Sequence, residues 1–370
     1  MPRVSLVGLI AAGGSGVPRY AAALTQGLDR VGGEFPDLEL VLLTTPLGLE
    51  RTRPRRIEAV VPRGLLGRWS AGPGRVAAEQ ILTGRAAGDL LHFFDLTGPL
   101  LAPRRPFTTT VHDAALRHRP QGLAVAHKRF LQPWAARRAR AAIAVSTFAK
   151  EEAVLHFGAD PARVHVVHSG PGLLPGAGTG PNGSAPGDAA PYLLYVGDLA
   201  DHKNLPFLVR AFGRASVPVR LVLAGRRGDR FARVRDAVDA SPARERIEIR
   251  GGASDDEIDA LYRGASALVL PSRYEGFGFT PLEAMARGCP VLASDIPALR
   301  EVSGEGALLL PLGDEDAWAR AIRRVLADDQ LRSDLRRRGG ETVARYSWDE
   351  AARGVCRVFA GLLRTAASAT

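Results

Sequence analysis

Short runs of leucine and β-branched residues alternate with longer stretches of helical periodicity along most of the chain. This alternation is typical of parallel β-sheets whose two faces are covered by helices. In the first half, the runs predict strands at residues 4–10, 38–44, 90–94, 108–112, 142–145 and 164–167. In the second half, they predict strands at residues 192–196, 220–224, 247–249, 267–270, 291–293 and 307–310. The sequence therefore predicts the α/β class, with two doubly wound, Rossmann-like domains in tandem.

Helical periodicity fills most of the gaps between these strands. In the first half it predicts helices at residues 19–30, 125–140 and 148–157. Residues 51–88 are rich in Gly, Pro and Arg and predict no clear element. Residues 171–191 hold almost no large apolar side chain, which is typical of an interdomain linker.

The linker divides the chain into a first domain at residues 1–170 and a second at residues 192–346. Residues 347–370 predict a final helix that crosses back to the first domain. This helix needs a surface against which to bury the side chains that recur at helical spacing, which are Trp348, Val355, Phe359 and Leu362.

Length and charge narrow the classes of partner. The chain has 370 residues, enough for two domains that each bury a full core, and a formal net charge of +10. Such a charge suits nucleic acid, an anionic membrane surface or anionic small ligands. The basic residues are nearly all arginine and are scattered over predicted helices that also carry acids, which disfavours a nucleic-acid partner. The arginine clusters at residues 51–56 and 137–140 leave a peripheral membrane contact open.

The chain carries no recognisable signal for export or membrane insertion. Residues 1–10 lack a basic leader and a cleavage site, and no window reaches about 18 uninterrupted apolar residues. We therefore expect a cytoplasmic protein, with contact to the inner membrane face left open. Because neither Cys289 nor Cys356 belongs to a metal-spaced cluster, we expect no disulfide framework and no structural zinc.

A glycine-rich turn with two flanking carboxylates follows the predicted strand at residues 267–270. Gly276 and Gly278 let the backbone turn tightly, and Thr280 and Pro281 begin a predicted helix. Glu275 is thus expected in the loop and Glu283 in the first helical turn, where free amides favour a bound phosphate. The alternative is a capping box formed by Thr280 and Glu283, which leaves Glu275 unexplained.

Two further turns follow strands of the second domain. Gly197 comes directly after the strand at residues 192–196, and Lys203 stands just before the next helix. There its ammonium could meet a diphosphate and stabilise the negative charge of a departing group. The alternative is a solvated surface lysine. Arg226 lies in the turn after the strand at residues 220–224, which predicts either a nucleotide contact or a surface turn.

The first strand of the chain leads into a loop that could approach phosphate or an acceptor. Its candidate residues are Gly14, Ser15, Gly16, Arg19 and Tyr20. Read as the dinucleotide motif G-x-G-x-x-G from Gly14, the loop has Arg19 in place of the third glycine, and no acid ends the next strand. A nicotinamide site is therefore disfavoured.

His112 and Asp113 stand at the end of the predicted strand at residues 108–112, so both side chains could reach a ligand at that sheet edge. A structural histidine is the alternative. After the next strand, Ser146 and Thr147 are most simply a cap for the helix at residues 148–157.

As a set, these residues resemble the retaining glycosyltransferases of family four. The most specific match is the segment from Glu275 to Glu283, which is similar to the E-x7-E element of that family. Lys203-Asn204, Pro271-Ser272 and His112-Asp113 also fit. The resemblance implies the GT-B architecture, in which two Rossmann-like domains face each other across a cleft, with acceptor binding in the first domain and donor binding in the second.

The resemblance also implies roles for individual residues. Glu275 would bind hydroxyls of the donor sugar, Glu283 the ribose and Lys203 the diphosphate, while His112 would lie against the donor sugar. The implied catalytic residues are Lys203, Glu275 and His112. The implied donor-binding set is Gly197, Lys203, Arg226, Glu275, Gly276, Phe277, Gly278, Phe279, Thr280 and Glu283. The implied acceptor or phosphate set is Gly14, Ser15, Gly16, Arg19, Tyr20 and Asp113.

The residues that precede Lys203 depart from the family pattern. Many relatives place an arginine directly before the lysine or a few residues earlier, whereas this chain has Asp198 and His202 there. His202, Arg226 or Arg19 could supply the second cationic contact.

The resemblance implies transfer of a sugar from a nucleoside diphosphate donor of the UDP, GDP or dTDP type to a hydroxyl of a glycan, a lipid-linked or a secondary-metabolite acceptor. Retention, a front-face mechanism and independence of metal and cofactor are part of this expectation. The alternatives are another GT-B enzyme, such as an epimerase or a phosphorylase, and an inactive nucleotide-sugar-binding partner protein. A pyridoxal-dependent phosphorylase is disfavoured, because no lysine follows Lys203.

Overall fold

The computed structural model describes residues 1–8, 16–44, 49–50, 52–54, 57–60, 79–81, 83, 86, 88–101, 104–114, 128–172, 190–228 and 230–367. The chain divides into two compact units. One consists of Met1–Gly172 and Tyr346–Thr370, and the other of Leu173–Arg345. Most of the predicted linker lies outside the described residues.

The first unit contains a seven-stranded sheet in which every pairing is parallel. In chain order its strands are β1 (Arg3–Val7), β2 (Glu39–Leu43), β3 (Glu58–Val60), β4 (Leu90–Phe93), β5 (Phe107–Val111), β6 (Ala141–Ala144) and β7 (Val164–Val166). In space they follow the order β3-β2-β1-β4-β5-β6-β7. Helices of this unit among the described residues include α1 (Gly16–Val31), α2 (Lys128–Arg138) and α3 (Thr147–Phe157). The six predicted strands are confirmed, and β3 is an additional edge strand.

The second unit contains a six-stranded sheet that is also parallel throughout. Its strands are β8 (Tyr192–Val196), β9 (Arg220–Ala224), β10 (Ile247–Arg250), β11 (Ala267–Leu270), β12 (Val291–Ser294) and β13 (Ala307–Leu310), in the spatial order β10-β9-β8-β11-β12-β13. The helices are α4 (Leu205–Ala215), α5 (Phe231–Asp239), α6 (Asp255–Gly264), α7 (Phe279–Met285), α8 (Pro297–Ser303), α9 (Glu315–Ala327) and α10 (Asp329–Val343). Nearly continuous apolar runs form these strands because helices bury both faces of the sheet. The predicted class, two Rossmann-like α/β domains, is confirmed.

The last helix, α11 (Trp348–Ala367), packs against α1 within the first unit. The helices approach so closely at Gly27 that a Cβ there would lie 2.6 Å from the carbonyl oxygen of Trp348. The indole Nε1 of Trp348 donates a hydrogen bond of 2.7 Å to the carbonyl of Pro171. Trp348, Val355 and Phe359 are buried, and each is among the side chains that the sequence predicted to need a surface. Among the described residues, no helix combines the length and apolar character needed to cross a bilayer.

Two glycines hold the turns after β8 and β9 against each other. The amide of Gly197 donates to the carbonyl of Ala224 at 3.0 Å, and the amide of Leu199 donates to the carbonyl of Arg226 at 2.8 Å. Gly225 has a φ of +157°, and a Cβ there would lie 1.8 Å from the carbonyl oxygen of Gly197. No side chain can enter this contact, so only glycine lets the β8–β9 pairing continue into the turns.

We expect Gly225→Ala to lower the free energy of unfolding by about 2 to 4 kcal/mol, because it adds both a collision and a strained φ. Chemical denaturation of the purified variant measures this loss. Gly251→Ala is the matched control, since a Cβ at Gly251 would meet no atom within 4 Å. If the two variants unfold at the same denaturant concentration, the close contact does not stabilise the turns.

Candidate functional site

Lys203 and Glu275 form an ion pair at the carboxyl edge of the second sheet. Lys203 ends a 3-10 turn, Asp201–Lys203, that follows β8, while Glu275 lies in the loop after β11, the strand beside β8. The ammonium Nζ lies 2.7 Å from Oε1 and 2.9 Å from Oε2 of Glu275. The two loops are also joined by the backbone, because the amide of Arg273 donates to the carbonyl of His202 at 2.9 Å. Only 15% of each charged side chain is exposed, so water screens the pair weakly.

The glycine-rich turn leads into α7 in a way that differs from the predicted capping box. Gly278, with a φ of +127°, occupies the N-cap position without a side-chain cap, and α7 begins at Phe279 rather than at Thr280. Glu283 is therefore the fifth residue of the helix, too far along for the predicted reciprocal cap. The rings of Phe277 and Phe279 meet edge to face, with centroids 5.2 Å apart. The structure thus contradicts the capping-box alternative for Glu283.

Glu283 is instead part of a buried polar cluster. Its side chain is 2% exposed, and Oε2 accepts a hydrogen bond of 2.8 Å from the hydroxyl of Tyr262 on α6. Burial, followed by the charge of Glu283, raises the pKa of Tyr262 well above its usual value, so this hydroxyl remains a donor at neutral pH. Tyr262 could not be recognised from the sequence as part of this cluster, because an aromatic residue on the apolar face of a helix is indistinguishable there from an ordinary core residue.

Arg226 and Asp198 form a second ion pair beside the first turn. Nε and Nη2 of Arg226 lie 3.2 and 3.1 Å from Oδ1 of Asp198. Both side chains are about half exposed, so this contact contributes little to stability. Asp198 occupies one of the positions at which the resemblance implies an arginine. In this chain it is instead the acidic partner of Arg226.

Three arginines that the sequence analysis did not single out converge on Asp201, in the turn that carries Lys203. They are Arg233 at 2.7 Å, Arg230 at 3.8 Å and Arg273 at 4.0 Å from the carboxylate. One carboxylate does not neutralise three guanidinium groups, so this side of the turn is cationic. No linear motif could reveal the cluster, because Arg230 and Arg233, at the start of α5, are distant in the sequence from Asp201 and from Arg273, which follows β11.

Tyr195 lies beneath the turn after β8. Its side chain is fully buried, and its hydroxyl donates to the carbonyl of Asp198 at 2.9 Å. A Cβ at Gly197, where φ is +147°, would lie 2.9 Å from that hydroxyl. Burial, and then the charges of Glu275 and Asp198, raise the pKa of Tyr195 well above its usual value. Tyr195 therefore supports the turn as a neutral hydrogen-bond donor.

The predicted residues of the first unit form a separate group. Nε2 of His112, directly after β5, donates to the carbonyl of Phe94 at 2.8 Å. The ring of Tyr20 meets His112 edge to face at 4.6 Å. Asp113 follows His112 and is half-buried. A ligand contact for His112 and for Asp113 stays a prediction.

The predicted loop at Gly16 to Tyr20 requires a correction. Gly16, Arg19 and Tyr20 lie in the first turns of α1, which begins three residues earlier than predicted. Tyr20 is 2% exposed and packs against His112 and Trp348, so it is a core residue rather than a loop residue. Gly14 and Ser15 lie outside the described residues. Pro18 is compatible with the early helix start, since proline is tolerated in the first turn.

Among the described residues, no group of three or more His, Cys, Asp or Glu side chains is arranged to hold a metal ion.

Family models match both halves of the chain. Residues 14–171 match a model described as Glycosyltransferase Family 4, and residues 182–342 match one described as Glycosyl transferases group 1. O-antigen chain mannosyltransferase RfbU of Salmonella typhimurium is 30% identical over 254 residues, 68% of each chain. O-antigen chain mannosyltransferase B of Escherichia coli is 33% identical over 162 residues, 43% of this chain and 42% of that relative. This second match thus spans less than half the length of the relative.

Solved structures share the fold over nearly the whole chain. Sucrose-phosphate synthase from Thermosynechococcus elongatus has a TM-score of 0.72 and 22% identity, over 99% of this chain and 100% of that chain. HepE of Anabaena, solved in complex with UDP and glucose, has a TM-score of 0.71 and 17% identity, over 98% and 100%. These structures are GT-B glycosyltransferases. The chain therefore belongs to the group 1, family 4 glycosyltransferases and has their two Rossmann-like domains.

Proposed function

We propose that the protein transfers a sugar from a nucleoside diphosphate donor to a hydroxyl acceptor, with retention of configuration. The observation that carries this proposal is the ion pair between Lys203 and Glu275, which joins an ammonium to a carboxylate at the carboxyl edge of a parallel sheet. Ligands of open α/β sheets bind at this edge. The proposal assigns the diphosphate to Lys203, the hydroxyls of the donor sugar to Glu275 and, from the resemblance to the E-x7-E element, the ribose hydroxyls to Glu283.

The chemistry of the two side chains suits this division. A lysine ammonium has three donors and no acceptor, whereas a carboxylate accepts hydrogen bonds from hydroxyl groups. Helix α7 has only seven residues, so its dipole is small, and the full charge of Lys203 is the stronger attraction for phosphate. Because the two side chains are in contact, a bound diphosphate competes with Glu275 for Lys203. Binding of the diphosphate would then release Glu275 to accept hydrogen bonds from the sugar.

The proposed reaction exchanges one bond at the anomeric carbon for another. The bond between that carbon and the terminal phosphate oxygen breaks, and a bond to the acceptor oxygen forms on the same face of the sugar. The acceptor proton passes to the departing diphosphate, which leaves as a nucleoside diphosphate. Lys203 stabilises the negative charge that develops on the leaving oxygen, and Glu275 orients the sugar.

The relatives support a hexose donor and a glycan or lipid-linked acceptor. Both O-antigen enzymes are named as mannosyltransferases, and a relative from Xylanimonas cellulosilytica, 30% identical over 226 residues, is named D-inositol 3-phosphate glycosyltransferase. UDP and glucose are named in the HepE complex. We therefore propose a hexosyltransferase with a donor of the UDP or GDP type. A dTDP donor and a secondary-metabolite acceptor are the alternatives within this proposal.

A thermal-shift panel with UDP, GDP and dTDP tests the proposal. A nucleotide at a hundredfold its dissociation constant stabilises the protein by about 2.7 kcal/mol, so one of the three is expected to raise the melting temperature by several degrees. Inorganic pyrophosphate at the same concentration controls for general anion binding and is expected to give a smaller shift. If none of the nucleotides stabilises the protein, the proposed donor site is wrong.

A further inference from the structure

We infer that Tyr262 is a positioning residue that fixes the orientation of the Glu283 carboxylate for recognition of the donor ribose. The inference rests on the proposed function, in which Glu283 binds the ribose hydroxyls. Arg287 and Asp259 hold Tyr262 in place. Through Glu283, Tyr262 thereby determines how strongly the site prefers a ribose over a sugar that lacks those hydroxyls.

A glutamate side chain has three rotatable bonds, so a carboxylate that must meet two hydroxyl groups loses conformational entropy on binding. Here one carboxylate oxygen is already held, because Oε2 of Glu283 accepts the hydrogen bond from Tyr262 at 2.8 Å. Tyr262 has no exposed surface and Glu283 is 2% exposed. A hydrogen bond to a charged group at such depth is stronger and more directional than one in water. The carboxylate is therefore oriented before any ligand arrives.

Arg287 holds both members of this hydrogen bond. Its guanidinium carbon lies 5.5 Å from the centroid of the Tyr262 ring, on the ring face, and its Nη1 donates to the backbone carbonyl of Glu283 at 2.9 Å. The Arg287 side chain has no exposed surface. One buried cation thus fixes the ring that donates and the backbone of the residue that accepts.

Asp259 neutralises Arg287 and ties it to α6. Oδ1 of Asp259 accepts from Nε of Arg287, and Oδ2 accepts from Nε of Arg263, both at 2.7 Å. Burial acts to raise the pKa of Asp259, but the two arginine hydrogen bonds outweigh it and hold the pKa below its usual value. The aspartate therefore remains charged at neutral pH. Because Asp259 and Tyr262 lie on the same helix, the network closes a ring between α6 and the end of α7.

The test compares Tyr262→Phe with the wild type in calorimetric titrations of UDP and of its 2′,3′-dideoxy analogue. If GDP gives a larger thermal shift than UDP, the titrations use GDP and its 2′,3′-dideoxy analogue instead. Tyr262→Phe removes the donated hydrogen bond and keeps the ring, so the affinity for the ribonucleotide is expected to fall about tenfold. The affinity for the dideoxy analogue is expected to change less than about twofold, since that ligand makes no use of the carboxylate.

Tyr192→Phe is the matched control. Tyr192 lies on β8, and its buried hydroxyl donates to the carbonyl of Leu261, next to Tyr262 on α6, at 2.8 Å. This variant loses the same kind of buried hydroxyl beside the same helix and is expected to leave the preference for ribose unchanged. Asp259→Asn weakens the hold on Arg287 and is expected to reduce the preference about threefold, which tests the network even if Tyr262→Phe fails to fold.

The outcomes separate this inference from the proposed function. If Glu283→Ala leaves the preference for ribose intact, the proposed role of Glu283 is wrong. If Glu283→Ala abolishes the preference while Tyr262→Phe and Asp259→Asn retain it, the positioning role is overturned and the donor site stands. Equal weakening of both ligands by Tyr262→Phe also overturns the inference, because a general structural effect would not distinguish them.

Discussion

Replacing Lys203 with alanine is expected to reduce turnover about a hundred- to a thousandfold, while the fold remains intact. The reason is electrostatic: in the proposed reaction the leaving diphosphate gains negative charge in the transition state, and the ammonium of Lys203 stabilises that charge. Removal of such a contact also weakens binding of the nucleoside diphosphate. Initial rates with donor and acceptor measure the first effect, and calorimetric titration with the nucleoside diphosphate measures the second.

Two controls separate loss of a catalytic cation from loss of net charge. Arg214→Ala removes one positive charge from a surface cluster in the same unit, where Arg214 pairs with Glu315 and Asp316, and is expected to retain turnover. Far-ultraviolet circular dichroism of Lys203→Ala reports whether the fold persists. Near-native turnover of a folded Lys203→Ala protein would show that the diphosphate is stabilised elsewhere.

Replacing Glu275 with alanine is expected to have two opposite effects, an almost complete loss of turnover and a higher affinity for the nucleoside diphosphate. Turnover falls because the sugar is no longer oriented at the reacting carbon. Affinity for the diphosphate rises because Lys203, 15% exposed and left without its carboxylate, is a poorly compensated charge that the ligand can satisfy. We expect a gain of about tenfold, or ~1.4 kcal/mol, in titrations with UDP or GDP.

Glu275→Gln is the matched variant, since it keeps the size and polarity of the side chain and removes only the charge. It is expected to tighten diphosphate binding in the same direction. The melting temperature of ligand-free Glu275→Ala should fall and should recover with the nucleotide. Weaker binding of the nucleoside diphosphate by both variants would contradict the proposed competition for Lys203.

The bounds of the strands could be predicted closely from the sequence, because a strand that is buried on both faces consists of a continuous run of apolar residues. β8, β9, β11 and β13 have the bounds that the runs indicate. β3 was not predicted because it is three residues long, lies at the sheet edge and falls in a segment rich in Gly, Pro and Arg. The early start of α1 was missed because Gly16 and Pro18 are usually helix breakers.

The candidate site could be predicted residue by residue but not as a set of contacts. Lys203 and Glu275 each follow a strand end, yet their ion pair spans 72 positions and depends on β8 and β11 being neighbours in the sheet. The sequence does not fix that order. The spacing of Thr280 and Glu283 indicates a helix cap. With Gly278 at positive φ in the N-cap position, however, the helix begins one residue earlier, and Glu283 accepts a hydrogen bond from Tyr262 instead.

The most direct test of the donor site is a crystal structure of the protein with a bound nucleoside diphosphate sugar. We predict a diphosphate oxygen within about 3 Å of Nζ of Lys203, a hydroxyl of the sugar at the same distance from Glu275, and an opened ion pair. A donor bound away from these residues, with Lys203 and Glu275 still in contact, would contradict the account.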